Sequence, residues 1–247
     1  MKNVYDNKTF FDLYKQMRNE GVNRNNFIEN PIMKSLLPDL TGKCVLDLGC
    51  GDGKFDRFLI ENGARCVVGV DISKNMIGQA KKNNKERCYD YYVLDMEKLG
   101  TFEGKYDVIV SSLAFHYVKD FDKLLKDIYN LLSDDGVLVF SQESPLKTSI
   151  IFDGKEQKNR VEIDGKNYYL LSDYQREGER KVIWNKTEVT KYHRTYASLV
   201  NSLISSNFKI VKMLDSYASE DAIKQNENYK REIDRPIFTF VVARKEK

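Results

Sequence analysis

No stretch of this chain approaches the ~20 apolar residues that a membrane span requires. Its first residues, MKNVYDNKTFFDLY, hold no apolar core of signal-peptide length. A cytoplasmic protein with no membrane partner is the expectation. An excess of one charge is also lacking, since 40 basic and 37 acidic residues leave a formal net charge of +3, and the end, ARKEK, is short and mixed in sign. Dedicated nucleic-acid binders carry a concentrated basic face or tail, so DNA is not an expected partner. Cysteine is sparse and unpatterned. Cys44, Cys50, Cys66 and Cys88 form no CxxC pair and match no zinc spacing, so they are expected to be small buried thiols and no metal site is expected. Internal repeats and low-complexity linkers are missing too, and the 247 residues are read as one domain.

What is present is a globular composition, 41% hydrophobic and 31% charged, arranged in a changing rhythm. In the first forty residues Phe10, Phe11, Tyr14 and Met17 recur at helical steps before Gly21, and FIENPIMKSLL is expected to form a second short helix. From residue 41 apolar runs of strand length alternate with amphipathic helices: CVLDLG, KFDRFLIENGA, RCVVGVD, SKNMIGQAKKNN, YDYYVLDME, KYDVIVSSLAF, FDKLLKDIYNLLSDDG and GVLVFSQES. Strands that are apolar nearly throughout indicate a parallel sheet covered by helices on both faces. Between Pro145 and Arg194 the rhythm breaks. Turn signals at DGK, twice, and at EGE separate tyrosine-rich and β-branched runs, which implies two or three inserted antiparallel strands. A helix, TYASLVNSLISSN, and two alternating strands, FKIVKMLDSY and PIFTFVVARKE, then close the sheet. The expected organisation is a helical cover over 1–40, a binding core over 41–145, a substrate-lid insertion over 146–194, and a closing helix and strands over 195–247.

The core opens with VLDLGCGDG, residues 45–53. A nucleoside triphosphate site needs GxxxxGK followed by Ser or Thr, but Gly53-Lys54 is followed by Phe55. A dinucleotide site needs GxGxxG with a pyrophosphate on the helix N-terminus. Here the spacing is GxGxG, Lys54 stands where the third dinucleotide glycine belongs, and Asp47 and Asp52 would repel a pyrophosphate. Bare glycine backbone with acids beside it suits a ligand that lacks phosphates and has a cationic end.

VLDLGCGDG closely resembles the first motif of the class I S-adenosylmethionine (SAM)-dependent methyltransferases. The resemblance continues in order through VVGVDIS, YYVLDME, YDVIVSSLAFHYVKD and DDGVLVFSQES, about residues 38 to 145, and is of the bacterial, methyltransferase type 11-like kind. It implies a Rossmann-like α/β fold, with a seven-stranded, mostly parallel sheet, an antiparallel last strand, helices on both faces and a small antiparallel β insertion. It also implies SAM as cofactor and S-adenosylhomocysteine (SAH) as product. By the same resemblance Asp47, Gly49, Cys50 and Gly51 would hold the methionine end, and Asp71 both ribose hydroxyls. Ile72 and Met96 would sandwich the adenine, Asp95 would accept from its amino group, and Ser111, Ser112 and Leu113 would face the reacting methyl. The N-terminal segment resembles a leader that covers the cofactor in related enzymes, which brings in Tyr14 and Arg18.

Methyl transfer from a sulfonium is an in-line displacement that needs alignment and, for some nucleophiles, a base. His116 and His193, the only two histidines, are the candidate bases. Lys191 and Arg194 are candidates to hold an anionic substrate, and Tyr168, Tyr169, Tyr174 and Trp184 suit a lid over an apolar or ring-shaped one. After the fourth strand SSLAFH stands where amino-methylating DNA enzymes carry two prolines and an aromatic residue. Pro-Cys, used by cytosine-C5 enzymes, does not occur, and SSLAFHYV begins with no acid for Mg²⁺. A metal-independent enzyme acting on oxygen or nitrogen of a small molecule is therefore expected. The alternatives are a tRNA or protein methyltransferase of the same fold, a non-catalytic SAM-binding module, and an NAD-dependent oxidoreductase resting only on Gly49, Gly51 and Asp71.

Overall fold

Alternate residues of the apolar runs pack into two separate cores, one on each face of a central sheet. Val45, Val108, Val110, Val137 and Val139 face one core with Ile28, Ile32, Met33 and Leu59. Leu46, Leu48, Ile109, Leu138 and Phe140 face the other with Phe115, Phe121, Leu124, Leu125, Ile128 and Leu199. This two-residue period, buried on both sides, is why the strands read as continuous apolar runs. The structure, a computed structural model, describes residues 4–7, 10–13, 16, 21, 23–150, 160–184 and 187–246.

The strands are β1 (Cys44–Leu48), β2 (Cys66–Asp71), β3 (Tyr89–Val93), β4 (Tyr106–Ser112), β5 (Leu132–Glu143), β10 (Phe208–Asp215) and β11 (Phe238–Lys245), with β6 to β9 lying in the insertion. They form one seven-stranded sheet in the order β10-β11-β5-β4-β1-β2-β3. The five from β3 to β5 are parallel, and β11 is antiparallel to both β5 and β10. The fold is the expected Rossmann-like α/β sheet. Strand order reverses between β1 and β4, which places the crevice for a ligand beyond their carboxyl ends. The last strand, expected to alternate, is instead buried along most of its length because it lies between β5 and β10 rather than at the edge.

Helices α1 (Asn30–Leu36), α2 (Lys54–Glu61), α3 (Lys74–Asn83), α4 (Phe121–Leu131), α5 (Pro145–Thr148), α6 (Tyr196–Ser205) and α7 (Glu220–Gln225) connect and cover the strands. Ser73 caps α3 by accepting from Met76 N–H at 3.2 Å, as its hydroxyl beside a helical run suggests. Among the described residues no helix is long and apolar enough to cross a membrane.

The insertion departs from two or three strands. Among its described residues it holds four, as two separate hairpins: β6 (Arg160–Ile163) with β7 (Lys166–Tyr169), and β8 (Gly178–Trp184) with β9 (Thr187–His193). The DGK at 164–166 makes the first hairpin's turn, with φ 52° at Asp164 and 73° at Gly165, the geometry a two-residue hairpin loop demands. The DGK at 153–155 lies outside the described residues. The cysteine expectation also needs correction, because Cys44 and Cys66 are joined by a disulfide. The parallel register of β1 and β2 sets them directly opposite each other, with Cα atoms 4.9 Å apart, which their spacing of 22 in the chain does not reveal.

Candidate active site

β1 ends in a loop that passes under the switch point. Gly49 and Cys50 N–H donate to Val70 O at 2.8 and 3.1 Å, and Gly49, Gly51 and Gly53 all have positive φ, at 81°, 56° and 73°. At Gly49 a Cβ would stand 2.6 Å from Ala114 Cβ, and at Gly53 it would stand 2.7 Å from Asn84 Nδ2 and Tyr91 Oη. These two glycines are required by close packing as well as by backbone conformation. At Gly51 a Cβ would meet nothing within 4 Å. Gly51 lines a cavity of about 1400 Å³, so its backbone is laid open to a ligand.

Three carboxyls surround this loop, Asp47 and Asp56 buried and Asp71 half-buried. Asp71, ending β2, accepts from Gly51 N–H at 3.1 Å and Ser73 N–H at 2.8 Å, and burial pushes its pKa up to about 6. Asp47 is held well above the usual carboxylate range by burial and by neighbouring Asp56, Asp71 and Glu29. Asp56, on the first turn of α2, is fully buried against Asp47 and Tyr91, and burial raises it to about 6. Two acids this close and this dry cannot both ionise readily, so the pair holds a shared proton. Asp47 and Asp71 line the cavity, and Asp47 Oδ1 has no hydrogen-bond partner among the described residues. Asp56 carries no signal in the sequence, where it reads as an ordinary acid at a helix start.

Ile72, Asp95 and Met96 line the same cavity, and Asp95 accepts from Glu97 N–H at 3.0 Å. Over it runs the segment Val4–Asp6. Asp6 Oδ1 accepts from Ser73 Oγ at 2.7 Å and Asn75 N–H at 3.2 Å, and Val4 and Tyr5 join the lining. Tyr5 and Phe10 pack edge-on against Trp184 of β8, with centroids 6.4 and 5.4 Å away, tying this cover to the insertion. Tyr14 and Arg18 lie outside the described residues.

At the end of β4 Ser112 and Leu113 line the cavity but Ser111 does not. Ser111, expected to face the methyl with them, is fully buried and donates to Leu48 O at 2.7 Å, bracing β4 against β1. Leu113 takes a left-handed conformation, φ 53°, which a branched side chain adopts only under constraint. Its N–H donates to both Ser141 O and Ser141 Oγ at 3.1 and 3.0 Å. Ser141 and Ser112 hydroxyls in turn donate to Glu29 Oε1 at 2.6 and 2.8 Å. Glu29, fully buried just before α1, thus joins the ends of β4 and β5. The only trace of it in the sequence is an acid in an otherwise apolar helix.

The wall beyond is cationic and aromatic. Glu143, ending β5, accepts from Lys147 Nζ at 2.5 Å and Lys191 Nζ at 2.8 Å, and the two ammonium groups hold its carboxyl well below the usual range despite burial. Lys191 Nζ also stands 5.7 Å from the Trp184 ring centroid and 5.9 Å from that of Tyr117. All five residues line the cavity, as does Tyr169.

Both candidate bases have hydrogen-bond partners in the fold. His116 lines the cavity, but its Nδ1 accepts from Glu143 N–H at 3.3 Å, which leaves the proton on Nε2. Burial lowers its pKa to about 3, with Glu143 opposing and Lys191, Lys147 and Arg194 adding to the fall. It is a neutral donor rather than a base poised near pH 7. His193 is absent from the lining. Its Nε2 donates to Tyr174 O at 2.9 Å and its Nδ1 accepts from Thr148 Oγ1 at 2.8 Å, so it pins β9 to α5. Arg194 is likewise off the cavity, donating to Val118 O and Lys119 O. Tyr168 and Tyr174 do not line it.

Comparison with known proteins agrees with this architecture. A methyltransferase domain model matches residues 46–140. An uncharacterized protein of Haemophilus influenzae is 40% identical over 98% of this chain and 96% of its own length. A SAM-dependent methyltransferase from Mesorhizobium loti, solved as a crystal structure, is 33% identical and superposes with a TM-score of 0.80, covering 88% of this chain and 97% of that one. A malonyl-[acyl-carrier protein] O-methyltransferase of Bacillus anthracis is 32% identical over 47% of this chain and 44% of its own length, so that match spans less than half of either protein.

Proposed function

Because the chain belongs to the class I SAM-dependent methyltransferases, we propose that it methylates an oxygen or nitrogen of a small molecule bound against Tyr117, Glu143, Lys147, Trp184 and Lys191. The observation that carries this reading is that a single cavity of about 1400 Å³ runs from the glycine loop to that wall, room for a cofactor and an acceptor side by side. The name of the Bacillus anthracis relative favours oxygen.

The residues on the cofactor side fit SAM, which supplies a methyl on a positively charged sulfur. Asp47, with an unpartnered oxygen, is suited to the cofactor's ammonium. The uncovered backbone at Gly51, with Gly49 and Cys50, suits the methionine end. Asp71, already held by Gly51 and Ser73 N–H, is suited to accept from the ribose hydroxyls. Ile72 and Met96, which line the cavity, would flank the adenine, and Asp95 would accept from its amino group. The leader closes the cavity through Val4 and Tyr5, and the insertion shapes the acceptor end through Tyr169, Trp184 and Lys191. Ser112 and Leu113, fixed through Ser141 and Glu29, form a rigid shelf between the two ends. The chain's part in the chemistry is alignment and exclusion of water. His116 contributes an Nε2–H donor to the acceptor side and takes no proton.

A screen of methyl acceptors with SAM, read as SAH release, tests the proposal. Turnover with small molecules and none with tRNA or protein is expected. Turnover confined to tRNA or protein, or cofactor binding without any turnover, overturns it.

A further inference from the structure

Resting on the small-molecule reading above, we infer that the methyl acceptor carries a carboxylate and that Arg235 is the residue that recognises it. Arg235 lines the cavity from the segment leading into β11, three positions before Phe238, which pairs with Glu143 in the sheet. Its guanidinium lies over the Tyr169 ring, 4.2 Å from the centroid, so the lid hairpin β6–β7 holds it in place. Its Nε and Nη1 are shielded from solvent and have no hydrogen-bond partner among the described residues. Four other cations that line the cavity have partners of their own. Lys147 and Lys191 share Glu143, Arg24 stands 3.5 Å from Glu232, and Arg180 donates to the carbonyls of Ser149 and Arg176.

A dry donor left unmade costs on the order of 1–3 kcal/mol. A guanidinium kept in that condition on a ligand cavity, with its plane fixed by a ring, is preorganised for a planar anion that meets its fork. The net charge of the wall agrees, since two lysines face the one carboxylate of Glu143. Glu143 and Glu232 both lie within electrostatic reach of Arg235 and limit how much negative charge the site accepts, which favours a singly charged carboxylate over a dianionic phosphate. Tyr169, Trp184, Val189 and Ile237 line the same cavity and offer apolar surface, so the acceptor class is an apolar or aromatic monocarboxylate.

The test is calorimetric titration of the SAH-saturated protein with matched pairs: phenylacetate and phenylacetamide, indole-3-acetate and indole-3-acetamide, octanoate and octanamide, with benzyl phosphate as a further arm. At least one acid is expected to bind about tenfold more tightly than its amide. Arg235→Gln is expected to abolish that preference and Arg235→Lys to restore part of it. SAH affinity, unchanged in both variants, reports that they are folded. Equal binding within every pair, a preference that survives Arg235→Gln, tighter binding of benzyl phosphate than of phenylacetate, or no binding of any acid overturns the inference. Failure of the wild-type protein to bind SAH instead overturns the methyltransferase reading beneath it.

Discussion

Asp56→Asn is expected to make the cofactor-free protein more stable, and only above acid pH. Asp56 is fully buried and its pKa rises from 3.8 to about 6. A carboxyl that holds its proton more tightly folded than unfolded costs nothing below its unfolded pKa. The cost builds as pH climbs from about 4 to about 6 and is fully present above that. The rise corresponds to about 3 kcal/mol, an order-of-magnitude figure for a group that shares its proton with Asp47. Asparagine keeps the size and loses the charge. For a domain of this length 1 kcal/mol moves Tm by about 2–4 °C, so a gain of about 8 °C is expected at pH 7.5 and none at pH 4. Scanning calorimetry of both proteins across that range measures it. An equal difference at both pH values, or destabilisation at pH 7.5, would refute the shared-proton account of the pair. Asp47→Asn, unlike Asp56→Asn, is expected to weaken SAH binding by about tenfold or more, because of the two only Asp47 lines the cavity.

Gly49→Ala meets both a Cβ contact of 2.6 Å with Ala114 and a φ of 81°, so it is expected to weaken SAH binding by about a hundredfold; binding within about threefold of wild type in calorimetry would contradict the packing described. With His116 lowered to about 3, the pH profile of kcat/KM is expected to show no inflection near 6.5 that depends on it. An inflection there that disappears in His116→Gln would restore His116 as a base. His193→Ala removes the ring that Thr148 Oγ1 and Tyr174 O both bond, and is expected to lower stability by about 1–3 kcal/mol with SAH affinity unchanged. Normal stability with lost turnover would return His193 to the chemistry.

The parts of the site made by contiguous backbone were legible in the sequence. The glycine loop and the acids at the ends of β1, β2 and β3 stand where the apolar runs stop, and strand ends at a switch point are where such sheets bind ligands. Parts assembled from distant segments were not. Glu29 acquires meaning only when the first helix lays it under Ser112 and Ser141. Asp56 becomes exceptional only when α2 turns it inward onto Asp47, and Arg235 only when the approach to β11 sets it over Tyr169. The partners of the two histidines also come from distant segments, Glu143 N–H for His116 and Thr148 and Tyr174 for His193, and are not legible in the sequence.

The central claim is that the cavity beyond β1 and β2 is the SAM site, with Asp71 at its ribose end. Calorimetric titration of SAH into the wild-type protein and into Asp71→Ala tests it most directly. Stoichiometric binding to the wild type and a loss of about tenfold or more in the variant are expected. Equal affinity in the two proteins, or no binding to the wild type, would contradict it.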